Sequence, residues 1–324
     1  MIKQPLVSII IPCYNHEAFL DDCLGSIINQ DYENIEFFIC DDASPDGSFA
    51  IIEGWEQRLK KRFSSVVVLK NEENLGVTKN INRMLEISNG KYVKILASDD
   101  ALSPNAISSM VNFLETNKEI DVLIVNGHFV KEDERYPNFE LKDKIYTVSP
   151  DFSQNGFLER IGRCNNISAP AAFLRKKVFE EYGFYDENIK VEDFEFWLRI
   201  FKDGKAKIAF LDKDLIYYRI NANSMSSNTN NKTIEKRRKL LFDAEIQSLY
   251  KYKDYFEPHA FAEIILNRII AARGFAVSLR LKNFNMQLEQ MWKEFPLWDS
   301  LTKKEVIGFK IKFLILTIKR LIKN

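Results

Sequence analysis

Apolar positions along the first 125 residues come in short runs that alternate between strand and helix spacing. Val7-Ser-Ile-Ile-Ile11 is a β-branched run ended by Pro12, which predicts a buried strand. Phe19, Leu20, Cys23, Leu24, Ile27 and Ile28 then recur at helical spacing. A second strand is predicted over 35–40, and a helix from about Asp46 places Ile51, Ile52, Trp55 and Leu59 on one face. Residues 66–69 form a third strand, with Val77, Ile81, Met84 and Leu85 marking the helix after it, and 92–96 form a fourth. Ser103-Pro104 opens another helix with cap and first-turn proline in their favoured order, and 121–125 supplies a further strand. Nearly all-apolar strands in strict alternation with amphipathic helices predict an α/β fold, Rossmann-like, with a mostly parallel sheet covered by helices on both faces.

Beyond residue 129 the rhythm changes. Residues 129–154 are polar, aromatic and irregular, which predicts a loop or lid. Residues 171–183 read as a strand turning into a short helix stopped by Gly183. Residues 192–202 predict a helix with Phe194, Trp197, Leu198 and Phe201 inward, 215–220 a strand, and 221–231 a polar loop rich in Asn and Ser. From there the pattern is helical to the end. These changes predict two domains: 1–228, itself divided into halves at about 115/116, and a helical C-terminal extension over 229–324.

Hydrophobic content of 46% is ample for a packed core, and a formal net charge of zero argues against nucleic acid as an obligate partner. The charge is uneven, however: the last 22 residues hold seven basic side chains against Glu305. That apolar, basic tail suits either the interface of an anionic membrane or a packed helix with solvated lysines. Cys13, Cys23, Cys40 and Cys164 have no metal-ligand spacing, and buried thiols in a reducing compartment are the simpler reading. The N-terminus lacks a signal-peptide core and no window is apolar enough to span a bilayer, so the expected location is cytoplasmic, with peripheral attachment through the tail as an option.

Two strands each end in a pair of aspartates, Asp41-Asp42 and Asp99-Asp100. Open α/β sheets bind ligands just beyond the carboxyl ends of their strands. Carboxylates delivered there suit Mg²⁺ or Mn²⁺, which take one or two protein carboxylates and fill the other positions with water and phosphate oxygens. The alternative is that each doublet forms a turn or caps the next helix.

The blocks around these doublets carry a resemblance. Val7-Ser-Ile-Ile-Ile-Pro-Cys-Tyr-Asn15, Ser26-Ile-Ile-Asn-Gln30, Asp41-Asp-Ala-Ser-Pro-Asp-Gly-Ser48, Asn74-Leu-Gly76, Asn89-Gly-Lys-Tyr92 and Ala97-Ser-Asp-Asp100 follow one another in the order of the family 2 glycosyltransferases. Tyr182-Gly-Phe-Tyr-Asp186, Val191-Glu-Asp193 and Tyr217-Tyr-Arg219 continue it. The chain resembles that family over roughly residues 5–228.

The resemblance implies the GT-A fold and an inverting, metal-dependent transfer of a hexosyl or N-acetylhexosaminyl group. The donor would be a nucleotide diphosphate sugar and the acceptor a surface glycan or lipid-linked oligosaccharide. It implies that Pro12, Tyr14 and Asn15 line the nucleotide pocket and that Asp42 accepts the imide N–H of a pyrimidine base, favouring a UDP-sugar. Asn74, Gly76 and Lys79 would lie near the ribose and diphosphate, the alternative being an ordinary helix start. Asp100 would hold the divalent cation (Mn²⁺ or Mg²⁺), and Asp99 the ribose or a metal-bound water. Arg219 would meet a phosphate, the alternative being a surface residue, Glu192 would meet the acceptor, and Asp193 would be the general base, unless it only caps its helix. One departure is Ala97, where many relatives carry the first aspartate of an Asp-X-Asp motif, and it puts metal affinity in doubt. That departure also keeps open a catalytically silent nucleotide-binding module that recruits partners. A nucleotidyltransferase is disfavoured because no Gly-rich segment follows Ile11.

Overall fold

The computed structural model describes residues 4–141, 143–153, 156–165, 167–189, 192–220 and 231–278. In chain order the elements are β1 (Val7–Cys13), α1 (Leu20–Ile28), β2 (Ile35–Asp41), α2 (Ser48–Arg62), β3 (Ser65–Lys70), α3 (Val77–Ile87), β4 (Tyr92–Ile95), β5 (Ala101–Leu102), α4 (Ala106–Thr116), β6 (Val122–Lys131) and β7 (Asp143–Lys144). There follow α5 (Phe157–Arg163), β8 (Ala172–Arg175), α6 (Lys177–Tyr182), α7 (Glu192–Phe201), β9 (Ile208–Ile220), α8 (Asn231–Lys251) and α9 (Pro258–Ser278). The chain divides into two units. The first takes the described residues within 1–153, 166–188 and 204–224; the second takes those within 154–165, 189–203 and from 225 onward.

The first unit holds the sheet, in the order β3-β2-β1-β4-β8-β6-β9-β5, with β7 on β6. β3, β2, β1 and β4 run parallel, as their apolar composition predicts. All seven residues of β2 are buried, including Phe37, Phe38 and Ile39, each contributing roughly 1.5–3 kcal/mol of burial. From β8 onward the sheet becomes mixed, since β8 is antiparallel to both β4 and β6 while β6 and β9 are parallel. Cys13 lies beside Asp41, so the loops that follow β1 and β2 leave the sheet together.

At the opposite end of the strands, Glu36 accepts from Ser8 Oγ (2.6 Å), Asn89 N–H (2.5 Å) and Gly90 N–H (2.9 Å). A Cβ on Gly90 would sit 2.3 Å from Ser8 Oγ, so only glycine fits. The Asn89-Gly90 block therefore braces the strand starts, far along the sheet from the carboxyl ends.

Three local expectations change. β6 runs on to Lys131 and β7 lies at Asp143–Lys144, so part of the predicted loop is sheet. β9 begins at Ile208, earlier than predicted, because pairing with β6 carries it through the polar Asp212-Lys213-Asp214, with a bulge at Asn126. There the strands press so close that a Cβ on Gly127 would lie 2.1 Å from the Ile216 carbonyl oxygen. Val77 opens α3 exposed rather than buried.

In the second unit α7 buries Phe194, Phe196, Trp197, Leu198 and Phe201, with Phe157 of α5 against Phe201. Fully buried Glu195 accepts from Arg199 (3.1 Å), Lys251 of α8 (2.7 Å) and the Tyr252 hydroxyl. Among the described residues no helix is long and apolar enough to cross a membrane. The tail from residue 279, and the 221–230 segment apart from the sequence, lie outside the described residues.

Candidate active site

Side chains lace the loops after β1 and β2 together. Asn15 N–H donates to Ser44 Oγ (3.0 Å), His16 N–H to Ser48 Oγ (3.0 Å) and Glu17 N–H to Asp46 Oδ2 (3.0 Å). Gly47 N–H returns a bond to Glu17 Oε2 at 2.6 Å. Asn15 and Ala43 both adopt left-handed backbone, φ 57° and 56°, at a cost for alanine of about 1–2 kcal/mol. That conformation turns each loop sharply off its strand. Pro12 is half-buried, whereas Tyr14 and Asn15 are exposed. Asp41 accepts from Ser44 N–H (3.1 Å) through Oδ2, and its buried Oδ1 has no hydrogen-bond partner among the described residues.

Asp42 is buried and holds the turn after β3. Its Oδ1 accepts from Asn71 Nδ2 (2.8 Å) and Leu75 N–H (2.7 Å), and its Oδ2 from Gly76 N–H (2.9 Å). Asn74 Nδ2 donates to the Asp42 carbonyl at 3.3 Å. Gly76, at φ 88°, sits where a side chain would be strained, and Lys79 is exposed on the first turn of α3. A carboxylate has about four acceptor positions, so Asp42 keeps roughly one.

Asp100, beyond the end of β4, is buried. Its Oδ1 accepts from the Arg219 backbone N–H at 2.9 Å, and its Oδ2 has no hydrogen-bond partner among the described residues. Burial above all, then the Asp99 charge, holds the Asp100 carboxyl well above the usual range, against Arg219 and Lys94. His16 Nδ1 lies 2.8 Å from Ser98 Oγ and 3.8 Å from Asp99 Oδ1. Lys94 of β4, fully buried, donates to the carbonyls of Pro170 and of Ala172 (3.2 Å), and burial pushes it down to about 7. An orphaned buried carboxylate oxygen with a carboxylate next to it fits a divalent cation. Among the described residues no three His, Cys, Asp or Glu side chains gather to hold a metal, which leaves the doublet matched to an ion completed by water and phosphate oxygens.

Arg219 is buried, not a surface residue. Its guanidinium has no exposed surface and is bonded inside the protein, to Asp22 Oδ2 (2.8 Å) and to the carbonyls of Asp99 (3.0 Å), Lys131 (2.8 Å) and Glu134 (2.7 Å). A phosphate contact would require breaking these bonds.

In the second unit Glu192 and Asp193 begin α7, both half-buried. Asp193 Oδ2 accepts from Asn165 Nδ2 at 3.2 Å. Burial raises the Asp193 carboxyl; the Phe194 N–H and Asn165 oppose this, and the Glu245 charge adds to it. Burial, then the Asp193 charge, pushes Glu192 up to about 7. A base in these surroundings holds a proton more strongly than a solvated carboxylate would.

Residues 8–183 match the family described as Glycosyl transferase family 2. The chain belongs to that family. It is 29% identical over 225 residues to the Escherichia coli UDP-Glc:alpha-D-GlcNAc-diphosphoundecaprenol beta-1,3-glucosyltransferase WfaP, covering 69% of this chain and 80% of WfaP. An uncharacterized glycosyltransferase of Methanocaldococcus jannaschii is 28% identical over 222 residues, 68% of this chain and 72% of its own. Among solved structures, S. aureus TarS 1-349 in complex with UDP-GlcNAc superposes with a TM-score of 0.58 at 18% identity, over 87% of this chain and 79% of that one. The Pyrobaculum calidifontis mannosyltransferase PcManGT, in complex with GDP-Man and Mn2+, gives 0.55 at 15% identity, over 97% and 88%. At these identities the two structures speak for the fold alone, and the GT-A expectation holds.

As a family 2 glycosyltransferase, the protein is an enzyme that takes a nucleotide-sugar donor. Several residues around the candidate groups are not marked as functional by the sequence: His16 beside Asp99, Asp22 on Arg219, Lys94 near Asp100, and Asn165 and Glu245 around Asp193. His16 was within reach, since it adjoins Asn15. The others carry no local signal.

Proposed function

We propose that this glycosyltransferase moves a hexosyl or N-acetylhexosaminyl group from a UDP-sugar to a hydroxyl of a surface glycan or lipid-linked oligosaccharide, inverting the anomeric centre. The observation that carries the reading is Asp100, whose buried Oδ2 has no hydrogen-bond partner among the described residues, beside Asp99 at the carboxyl end of the parallel strands. The donor half is about 1–115, the acceptor half about 116–228, and 229–324 an extension whose basic tail would rest on the cytoplasmic face of an anionic membrane.

Tyr14 offers an exposed ring to a base, and the last acceptor position of Asp42 suits the imide N–H of uracil. Pro12, Asn15, Asn74 and Gly76 shape the same turns, and exposed Lys79 offsets phosphate charge. Asp100 holds Mn²⁺ or Mg²⁺, with Asp99 on the ribose or a metal-bound water. When bound, the ion neutralises charge on the departing diphosphate. Asp193 takes the proton from the acceptor hydroxyl, and Glu192 contacts the acceptor. The lipid-linked acceptor draws support from WfaP, whose name specifies GlcNAc-diphosphoundecaprenol.

The test is a screen of nucleotide sugars scored by diphosphate release with Mn²⁺ and lipid extract from the source cell, repeated with Asp193→Asn. The reading expects UDP release from wild type, with turnover lost and UDP binding kept in the variant. Absence of both transfer and nucleotide-sugar binding sinks it. The departure at Ala97 favours the silent-module alternative, which gains if wild type binds UDP and neither protein turns over.

A further inference from the structure

We propose that Arg219 is a positioning residue that fixes the Asp99-Asp100 doublet, and not a ligand of the diphosphate; this rests on the donor-site reading above. Four of its five side-chain N–H donors are already taken: Nε by the Asp99 carbonyl, two by the carbonyls of Lys131 and Glu134, and one by Asp22 Oδ2. Its planar head also lies over the rings of Phe19 at 5.0 Å and Phe139 at 5.4 Å, which leaves it no exposed surface.

These bonds have one geometric consequence. The Arg219 backbone N–H holds Oδ1 of Asp100, while its side chain holds the Asp99 carbonyl one residue earlier. The doublet is thus gripped from both its backbone and one carboxylate oxygen, and Oδ2 of Asp100 is left for a cation. The grip is itself anchored on α1, because Asp22 pairs with the guanidinium and also accepts from Tyr136 N–H at 3.0 Å. Four segments, α1, the doublet, the turn at 131–134 and the end of β9, therefore converge on one cation. Groups that orient a metal-binding carboxylate commonly govern metal affinity without touching the metal.

Asp22 makes the idea testable, since a carboxylate gains nothing from contact with a phosphate. Full-length wild type, Arg219→Lys and Asp22→Asn are compared in two assays: Mn²⁺ binding at saturating UDP, read from the spin-resonance signal of free Mn²⁺, and UDP binding in EDTA by calorimetry. Both variants are expected to weaken Mn²⁺ binding by about 10–100-fold while UDP binding in EDTA changes by less than about threefold. The proposal is overturned if Asp22→Asn, folded by circular dichroism, binds Mn²⁺ like wild type. It is equally overturned if Arg219→Lys loses UDP affinity in EDTA and keeps its Mn²⁺ affinity. Should Arg219→Lys not fold, Asp22→Asn decides on the same Mn²⁺ criterion. Wild type that binds neither UDP nor Mn²⁺ defeats the donor-site reading as well, an outcome set apart by needing no substitution.

Discussion

Asp99 and Asp100 sit among basic and N–H donor groups, whereas Glu192 and Asp193 sit among acids and amides. Around the first pair lie the Arg219 backbone N–H and guanidinium, buried Lys94, and His16. Around the second lie Glu245 and the Asn165 amide, and Glu245 is itself tied to Arg268 at 2.6 Å. Burial raises the proton affinity of Asp100, Glu192 and Asp193 alike. What differs is the compensation. The first pair is held by donors that leave one Asp100 oxygen without a hydrogen-bond partner among the described residues, the place proposed for a metal, and the second keeps the raised proton affinity that the proposed base role uses. Two adjacent carboxylates thus acquire different chemistry from their neighbours.

The largest expected effect breaks the second half of the contrast. Asp193→Asn should lower kcat by about 10²–10⁴-fold with donor KM nearly unchanged, measured by diphosphate release. A loss under about tenfold would mean that the proton goes elsewhere. Next comes Asp100→Asn, since changing a ligand should cost at least the roughly 100-fold upper range seen for its orienting partners. The rise in Tm that Mn²⁺ gives wild type in the presence of UDP should disappear, and an undiminished rise would move the metal off the doublet.

A smaller effect follows from titration. Glu192 stands near 7 in the folded chain against an ordinary 4.5, so the folded state binds more protons between those values. Its contribution to stability is full below about 4.5 and disappears as pH rises through about 7. Glu192→Gln should therefore flatten the urea-derived stability profile across that window, and parallel profiles for the two proteins would remove Glu192 as the proton holder. The smallest effect is expected from Asn165→Ala. Loss of a bond that favours the ionised base should shift the acidic limb of kcat upward by less than about one pH unit. A downward shift would reverse the assigned sign.

Much of β1, β2 and β4 was legible because their side chains are buried on both faces and read as continuous apolar runs, and β3, half-buried at the sheet edge, still shows the apolar run Val66–Leu69. The extents of β6 and β9 were not, because Asn126, Asp212 and Asp214 look like loop residues until β-pairing brings Asn126 Nδ2 within 2.7 Å of Asp212. The doublets could be found because their chemistry and their position on a strand coincide. Arg219 could not be assigned from its block, since a buried hub and a phosphate ligand use the same side chain, and Asp22, its partner, lies 197 residues away. Asn165 and Glu245 shift Asp193 only through tertiary packing, which leaves no periodicity to detect.

The strand order also has a consequence during synthesis. β3, β2, β1 and β4 can all pair once Ile95 has left the ribosome, but β4 then shows a bare edge until β8 is made. At about 5–20 residues per second, the roughly 80 residues between them take several seconds. Throughout that interval the nascent chain carries an open, apolar, parallel edge of the kind that recruits other strands. The β4 edge at the centre of the finished sheet is therefore sealed well after the strands on its other side have paired, and the half-made chain is exposed to aggregation there.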